Sequence, residues 1–248
     1  MRLSLCLNAA TGDLSRPDAM QYAKKLGFTA VEFWEGKDFD IDAYKEALTD
    51  LELPCMGFAS GLTDPANRNN FLEDVKISFS NAQALGAKGV IVTTGDALEG
   101  VSREKQFQSI VVGLKDAAKV IDGSGISIYL EPLNVLVNHP GHYLHSSAEA
   151  FEILREVNNP NVKLLFDIYH QQISEGNLIT NITKNIDLIG HMHAAGNPGR
   201  IEPFLGEINY SEVFAAAKSA GYVGYVGLEF WPAEDCEKSL LKCLDLYS

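Results

Sequence analysis

The 248-residue sequence predicts an α/β fold, a single (β/α)8 TIM barrel covering residues 1–248 as one domain. Three observations carry this expectation. A short apolar run, a polar break and an amphipathic stretch of helical length recur eight times from one end to the other. No change of composition and no Pro/Gly/Ser-rich linker divides the series, and the length is that of one barrel. An open doubly wound sheet is the alternative, but the segment around Gly12 carries neither GxGxxG nor GxxxxGK[ST].

In chain order, strands are expected at residues 3–7, 30–33, 54–58, 89–93, 127–130, 162–166, 188–192 and 225–228, each a short apolar run of the kind a buried parallel strand needs. Helices are expected between them at 17–26, 41–51, 71–85, 103–121, 147–157, 178–186, 210–220 and 236–246. Ser147, with Glu149 and Ala150 after it, and Ser211 beside Tyr210 read as helix starts, because a hydroxyl satisfies the free amides of a first turn. Gly27, Gly86 and Gly221 fall where a helix ends in the left-handed conformation. The phrases KLGFTAVE, ALGAKGVI and SAGYVGYV share one layout: helix end, glycine turn, buried strand.

With 20 basic and 33 acidic residues the chain carries a formal charge of −13, dispersed along its length, which reads as a solubilising surface. Such a surface repels phosphate backbones and anionic headgroups, so neither nucleic acid nor membrane is an expected partner. Cys6, Cys55, Cys236 and Cys243 form no CxxC pair, and neither a disulfide nor a thiolate metal site is expected. No signal peptide and no membrane-spanning apolar run is found, so a cytoplasmic protein is expected.

Side chains at the C-terminal ends of barrel strands converge on one mouth. The fifth strand runs into Glu131 (SIYLEPLN), the sixth into Asp167 (KLLFDIYH), the seventh into His193 (IGHMHAA) and the eighth into Glu229 (VGLEFWP). The separations are 36, 26 and 36 residues, about one βα unit each, so equivalent positions on four consecutive strands carry ionisable groups. Three carboxylates crowded in a half-buried mouth repel one another, whereas a divalent cation neutralises them and accepts their lone pairs. Oxygen donors with one imidazole suit Mn²⁺ first, Mg²⁺ second and also Co²⁺, and differ from a structural zinc site. Any one of these residues reads equally well as a helix cap or an ion-pair partner; their recurrence is what points to metal.

Polar residues surround these positions. His170, three residues past Asp167, belongs on the first turn of the next helix and faces the same mouth, with a capping or surface role as the alternative. In the loop GNPGRIEPFLGEINY, Arg200 suits a substrate oxygen or carboxylate through its planar fork; a surface pair with Glu202 is the other reading. His139, His142 and His145 cluster after the fifth strand and are assigned loop or lid roles. Glu32, Trp34 and Asn8 are expected on the opposite wall, although Trp34 and Trp231 suit rim packing equally well.

With these residues in view, the chain resembles the xylose isomerase-like TIM barrels, and within them the hydroxypyruvate isomerase family. The phrases that carry the resemblance are Glu131-Pro-Leu-Asn134, His139-Pro-Gly141, Leu165-Phe-Asp167-Ile-Tyr-His170, Gly190-His191-Met-His193, Pro198-Gly-Arg200, Glu202-Pro203, Gly206-Glu207-Ile-Asn-Tyr210 and Leu228-Glu229-Phe-Trp-Pro232. It is strong over residues 125–235 and thins to pattern before residue 100. The resemblance implies metal ligation by Glu131, Asp167, His193 and Glu229. It implies catalysis by Glu131 and Glu229 as proton acceptor and donor on opposite sides of the substrate, with His170 and Arg200 holding substrate oxygens. Asn134 and Glu207, inside the shared phrases, join the expected substrate contacts. One position departs: His193 stands where hydroxypyruvate isomerases often carry glutamine, and histidine there is similar to the ketose 3-epimerases of the same superfamily.

The expected reaction is therefore isomerisation of a small 2-oxo or hydroxy acid such as hydroxypyruvate, in carbohydrate metabolism. A metal-chelated carbonyl and hydroxyl stabilise the enediolate formed when a carboxylate removes the α-proton. Ketose 3-epimerisation or 2-oxo-tetronate isomerisation needs the same groups. A metal-dependent DNA-repair endonuclease is a remote alternative, requiring a histidine-rich trinuclear zinc site and a basic groove that six histidines and a charge of −13 do not offer. The expected partner is a small sugar or sugar acid; a homo-oligomer is compatible with the sequence.

Overall fold

The computed structural model describes residues 1–248. Its eight strands are β1 (Arg2–Cys6), β2 (Val31–Glu32), β3 (Met56–Ala59), β4 (Gly89–Val92), β5 (Ser127–Leu130), β6 (Val162–Asp167), β7 (Ile189–Ala194) and β8 (Tyr225–Leu228). Each falls on the apolar run that announced it. They pair in parallel in the order β2-β1-β8-β7-β6-β5-β4-β3. No ladder joins β2 to β3; two single parallel bridges, Ala30 to Glu52 and Phe33 to Met56, complete the ring. At this seam the Val31 amide reaches the Glu52 carbonyl at 3.0 Å and the Gly57 amide reaches Phe33 at 3.1 Å, so the backbone there stays paired. The expected (β/α)8 barrel is the fold observed.

Helices Arg16–Leu26, Ile41–Ala47, Arg68–Leu85, Arg103–Val120, Ser147–Val157, Leu178–Lys184, Tyr210–Ser219 and Cys236–Tyr247 answer the eight expected ones. The second stops short of residue 51, where Asp50 takes the left-handed φ of 65°. Short helices Leu7–Ala10 and Ile168–Ser174 follow β1 and β6 directly. Two expected caps lie one or two residues away. Ser146, not Ser147, accepts from the Ala148 amide, and the Ser147 hydroxyl donates to Glu175 instead. Asn209, not Ser211, accepts from the Glu212 amide. Gly27 and Gly86 do end their helices at φ 100° and 73°.

Strand alternation sorts the barrel into two cores. Leu130, Phe166, Met192 and Leu228 face outward and join the large core shared with the helices. Tyr129 and Leu165 face inward with Cys55 and Ile91, filling the barrel axis. Both faces being buried is why the strands read as unbroken apolar runs. Tyr129 occupies a slot cut by two glycines: a Cβ on Gly89 or Gly190 would lie 2.1 or 2.5 Å from its ring. Two residues further along the inward-facing parity, the strands present Glu131, Asp167, His193 and Glu229. No helix is long and apolar enough to cross a membrane, and all four cysteines are free.

Candidate active site

The four expected ligands converge. Donor atoms of Glu131, Asp167, His193 and Glu229 all lie within 4.8 Å of one another, and all four side chains are buried. Asp167 divides its work between two oxygens. Oδ1 accepts from the His170 amide at 3.1 Å and caps helix Ile168–Ser174, while Oδ2 lies 3.5 Å from His170 Nε2 and 3.7 Å from Arg200 Nη2. Nδ1 of His193 is 3.1 Å from Glu229 Oε2 and 3.8 Å from Glu131 Oε1, yet neither ring nitrogen makes a hydrogen bond. Buried, unpartnered imidazole nitrogens beside three carboxylates are costly in a protein interior. A divalent cation fits this donor set, because it takes the lone pairs and offsets the negative charge.

The two glutamates sit in unequal fields. Burial and the neighbouring charge of Glu229 push Glu131 well above the usual carboxylate range. Burial raises Glu229 too, but the Arg200 guanidinium and His193 outweigh it and hold Glu229 well below that range. Arg200 Nη2 donates to Glu229 Oε2 at 2.5 Å, and Trp34 Nε1 donates to Oε1 at 2.9 Å. Arg200 is set in place by its loop: its carbonyl accepts from the Trp231 amide at 2.9 Å, and its guanidinium lies 5.0 Å from the Trp231 ring and 5.4 Å from Tyr169.

Over the cluster opens a cavity of about 530 Å³, lined by Glu131, Glu229, His170, Arg200 and Trp34 together with Ser60, Thr93, Asp96, His139 and His142. His170 is fully buried, and Nδ1 accepts from the Asn134 amide at 3.2 Å and from Asn134 Nδ2 at 2.6 Å. Its proton is therefore on Nε2, the unpartnered nitrogen. Burial holds His170 down to about 4, so near neutrality the ring is an uncharged donor.

A family model described as the xylose isomerase-like TIM barrel matches residues 20–246. The chain belongs to this family. It is 32% identical to the hydroxypyruvate isomerase of Escherichia coli, covering 97% of both chains. It is 30% identical to the 2-oxo-tetronate isomerase of Haemophilus influenzae, covering 87% of each. Among solved structures, one titled as an AP endonuclease, family 2, from Brucella melitensis superposes with a TM-score of 0.93 at 28% identity over 99% of both chains. The enzyme class expected from the sequence, an isomerase, agrees with these curated relatives.

Several expected residues stand elsewhere in this xylose isomerase-like barrel. Asn134 does not line the cavity; it acts on the site through His170. Glu207 is exposed outside the cavity, accepting from Asn197 Nδ2 and Gln172 Nε2. Glu202 is no partner for Arg200: it is buried and accepts from the Ala233 amide and Ser239 Oγ, tying its loop to helix Cys236–Tyr247. Of the expected opposite wall only Trp34 lines the cavity. Asn8 holds the Trp34 amide at 2.8 Å, and Glu32 lies one layer deeper, 2.8 Å from His191 Nε2. His139 and His142 line the cavity and His145 does not. The sequence reading missed Asp96 and Ser60, which sit in loops with no periodicity to mark them, and Thr93, which follows β4 two residues past inward-facing Ile91 and was therefore readable from strand alternation. It also assigned no role to His191, although the alternation His191-Met192-His193 on a strand points both rings inward.

Proposed function

We propose that this protein is a metal-dependent isomerase that moves a proton between carbons of a small 2-oxo or hydroxy acid, of which hydroxypyruvate is the first candidate and a 2-oxo-tetronate the second. One observation carries the reading: four donors from consecutive strands meet within 4.8 Å at the floor of the cavity. Glu131, Asp167, His193 and Glu229 would hold Mn²⁺ or Mg²⁺, with Co²⁺ also suited to the set. Such a cation polarises a carbonyl oxygen and stabilises negative charge as the neighbouring C–H bond breaks.

The chain's own residues supply the rest. Glu131 and Glu229 form the acid–base pair, and Arg200 and Trp34 fix the Glu229 carboxylate through one oxygen each. His170 offers a neutral Nε2–H to a substrate oxygen, aimed by the Asn134 pair of donors. Arg200, the one guanidinium on the cavity wall, suits the carboxylate of an acid. An acidic chain with a single imidazole in the four-group cluster does not favour the endonuclease reading. Free, mostly buried thiols support a cytoplasmic setting.

The test is solvent deuterium uptake at the α-carbon with Mn²⁺ or Mg²⁺, run on hydroxypyruvate, 2-oxo-tetronates, ketopentoses and ketohexoses. Metal-dependent exchange with one of the acids, abolished by chelator, is expected. Exchange confined to neutral ketoses with inversion at carbon 3 would instead identify an epimerase, the outcome that His193 favours over glutamine.

A further inference from the structure

Beneath the candidate metal centre lies a second polar layer, which β7 enters at His191, two residues before His193. Glu32 on β2 and His191 on β7 are buried there, with Glu32 Oε2 2.8 Å from His191 Nε2 and Glu32 Oε1 accepting from Ser4 Oγ at 3.2 Å. The proposed reaction gives Glu32 no role. The same Oε2, however, lies 3.5 Å from Nε2 of His193, the ring whose Nδ1 faces Glu229 and Glu131.

An imidazole ligates through a lone pair. A ring that presents Nδ1 to a cation carries its proton on Nε2, and that proton needs an acceptor. Glu32 Oε2 is the carboxylate oxygen on that side. A second, independent feature shows that the two groups are fitted together: a Cβ on Gly227 of β8 would lie 1.7 Å from Glu32 Oε1 and 2.7 Å from His193 Cδ2. Gly227 does not take a left-handed φ, so its missing side chain provides space for this pair rather than backbone freedom.

We propose that Glu32 is a positioning residue for the candidate metal centre, accepting a hydrogen bond from His193 Nε2–H and so fixing the tautomer whose Nδ1 lone pair points at the cation. The proposal rests on the metal reading of the four-group site. Ser4 and His191 hold the carboxylate in turn, each by one hydrogen bond. Glu32 thus acts through His193, with no contact to substrate.

The experiment is a double-mutant cycle on Mn²⁺ affinity, read by electron paramagnetic resonance of free Mn²⁺, with circular dichroism to verify folding. It compares the parent protein, Glu32→Gln, His193→Gln and the double variant. Glutamine at 193 keeps an oxygen donor but has no tautomer to fix. Glu32→Gln is expected to weaken Mn²⁺ binding about 10–100-fold in the parent and several-fold less in the His193→Gln background. Equal loss in both backgrounds means that Glu32 acts on the cation by charge alone, and no loss in either means that it serves only the fold; each result overturns the proposal. A measurement on the parent protein stands independently of any variant. Nitrogen-15 spectra of the histidine-labelled, Mg²⁺-loaded protein are expected to show His193 protonated at Nε2, and protonation at Nδ1 overturns the proposal. A parent protein that binds neither ion removes the metal reading and this inference with it, whereas binding without the cycle's coupling removes this inference alone.

Discussion

Asp167 shows why single residues in this site looked ambiguous in the sequence. A strand-end aspartate reads as a helix cap or as a metal ligand; here one oxygen caps a helix while the side chain also faces the other three candidate ligands. Asp167→Asn keeps a capping oxygen, so urea unfolding should change by less than about 1 kcal/mol while Mn²⁺ affinity falls at least about tenfold. Asp167→Ala should lose both. Glu131 and Glu229 carry no comparable structural bond to the backbone, and their expected variants differ accordingly. Glu131→Gln and Glu229→Gln should each lower α-carbon deuterium exchange by about 10²–10⁴-fold with the fold intact by circular dichroism. Exchange that survives both substitutions would contradict the proton-transfer assignment.

Elements were legible where burial imposes a period. β5 to β8 each pack one face on the helices and the other on the barrel axis, and the resulting runs, with Gly27 and Gly86 closing helices, mark units without tertiary knowledge. Loops carry no such period, which is why Glu207 was placed in the site and Asp96 was not. The inward layer can be probed at Gly190, where an added methyl meets the Tyr129 ring and Lys163 Cβ. Gly190→Ala should destabilise by about 1–3 kcal/mol in urea melts, through overpacking. Loops after β4 and β5 join where Asp96 pairs with His142, and the His142 Nε2 lies 3.2 Å from Thr94 Oγ1. Burial holds His142 down to about 4, below the ordinary value near 6.5. The folded protein binds this proton less readily than the unfolded chain, so its stabilising effect is full above about pH 6.5 and is lost as pH falls toward 4. The loss is at most about 3 kcal/mol, and His142→Asn should shallow the fall of unfolding free energy across that window.

At the scale of the whole molecule, a closed ring of strands brings together residues as far apart in sequence as Trp34 and Glu229, joined at 2.9 Å. The spacing of 36, 26 and 36 residues made the four-group site readable, because one βα unit returns the chain to the same end of the barrel. What the spacing could not convey is depth: Glu32 belongs to the layer under the cavity, a place set by strand stagger around the ring. Metal binding should also act on the entire fold. Mn²⁺ at 100 times its dissociation constant adds about 2.7 kcal/mol, which for a chain of this size raises Tm by about 5–10 °C, reversed by chelator. The most direct test is an anomalous-difference map from crystals soaked in Mn²⁺. One strong peak per chain, enclosed by Glu131, Asp167, His193 and Glu229, is expected; no peak at millimolar Mn²⁺, or a peak away from these four side chains, would contradict it.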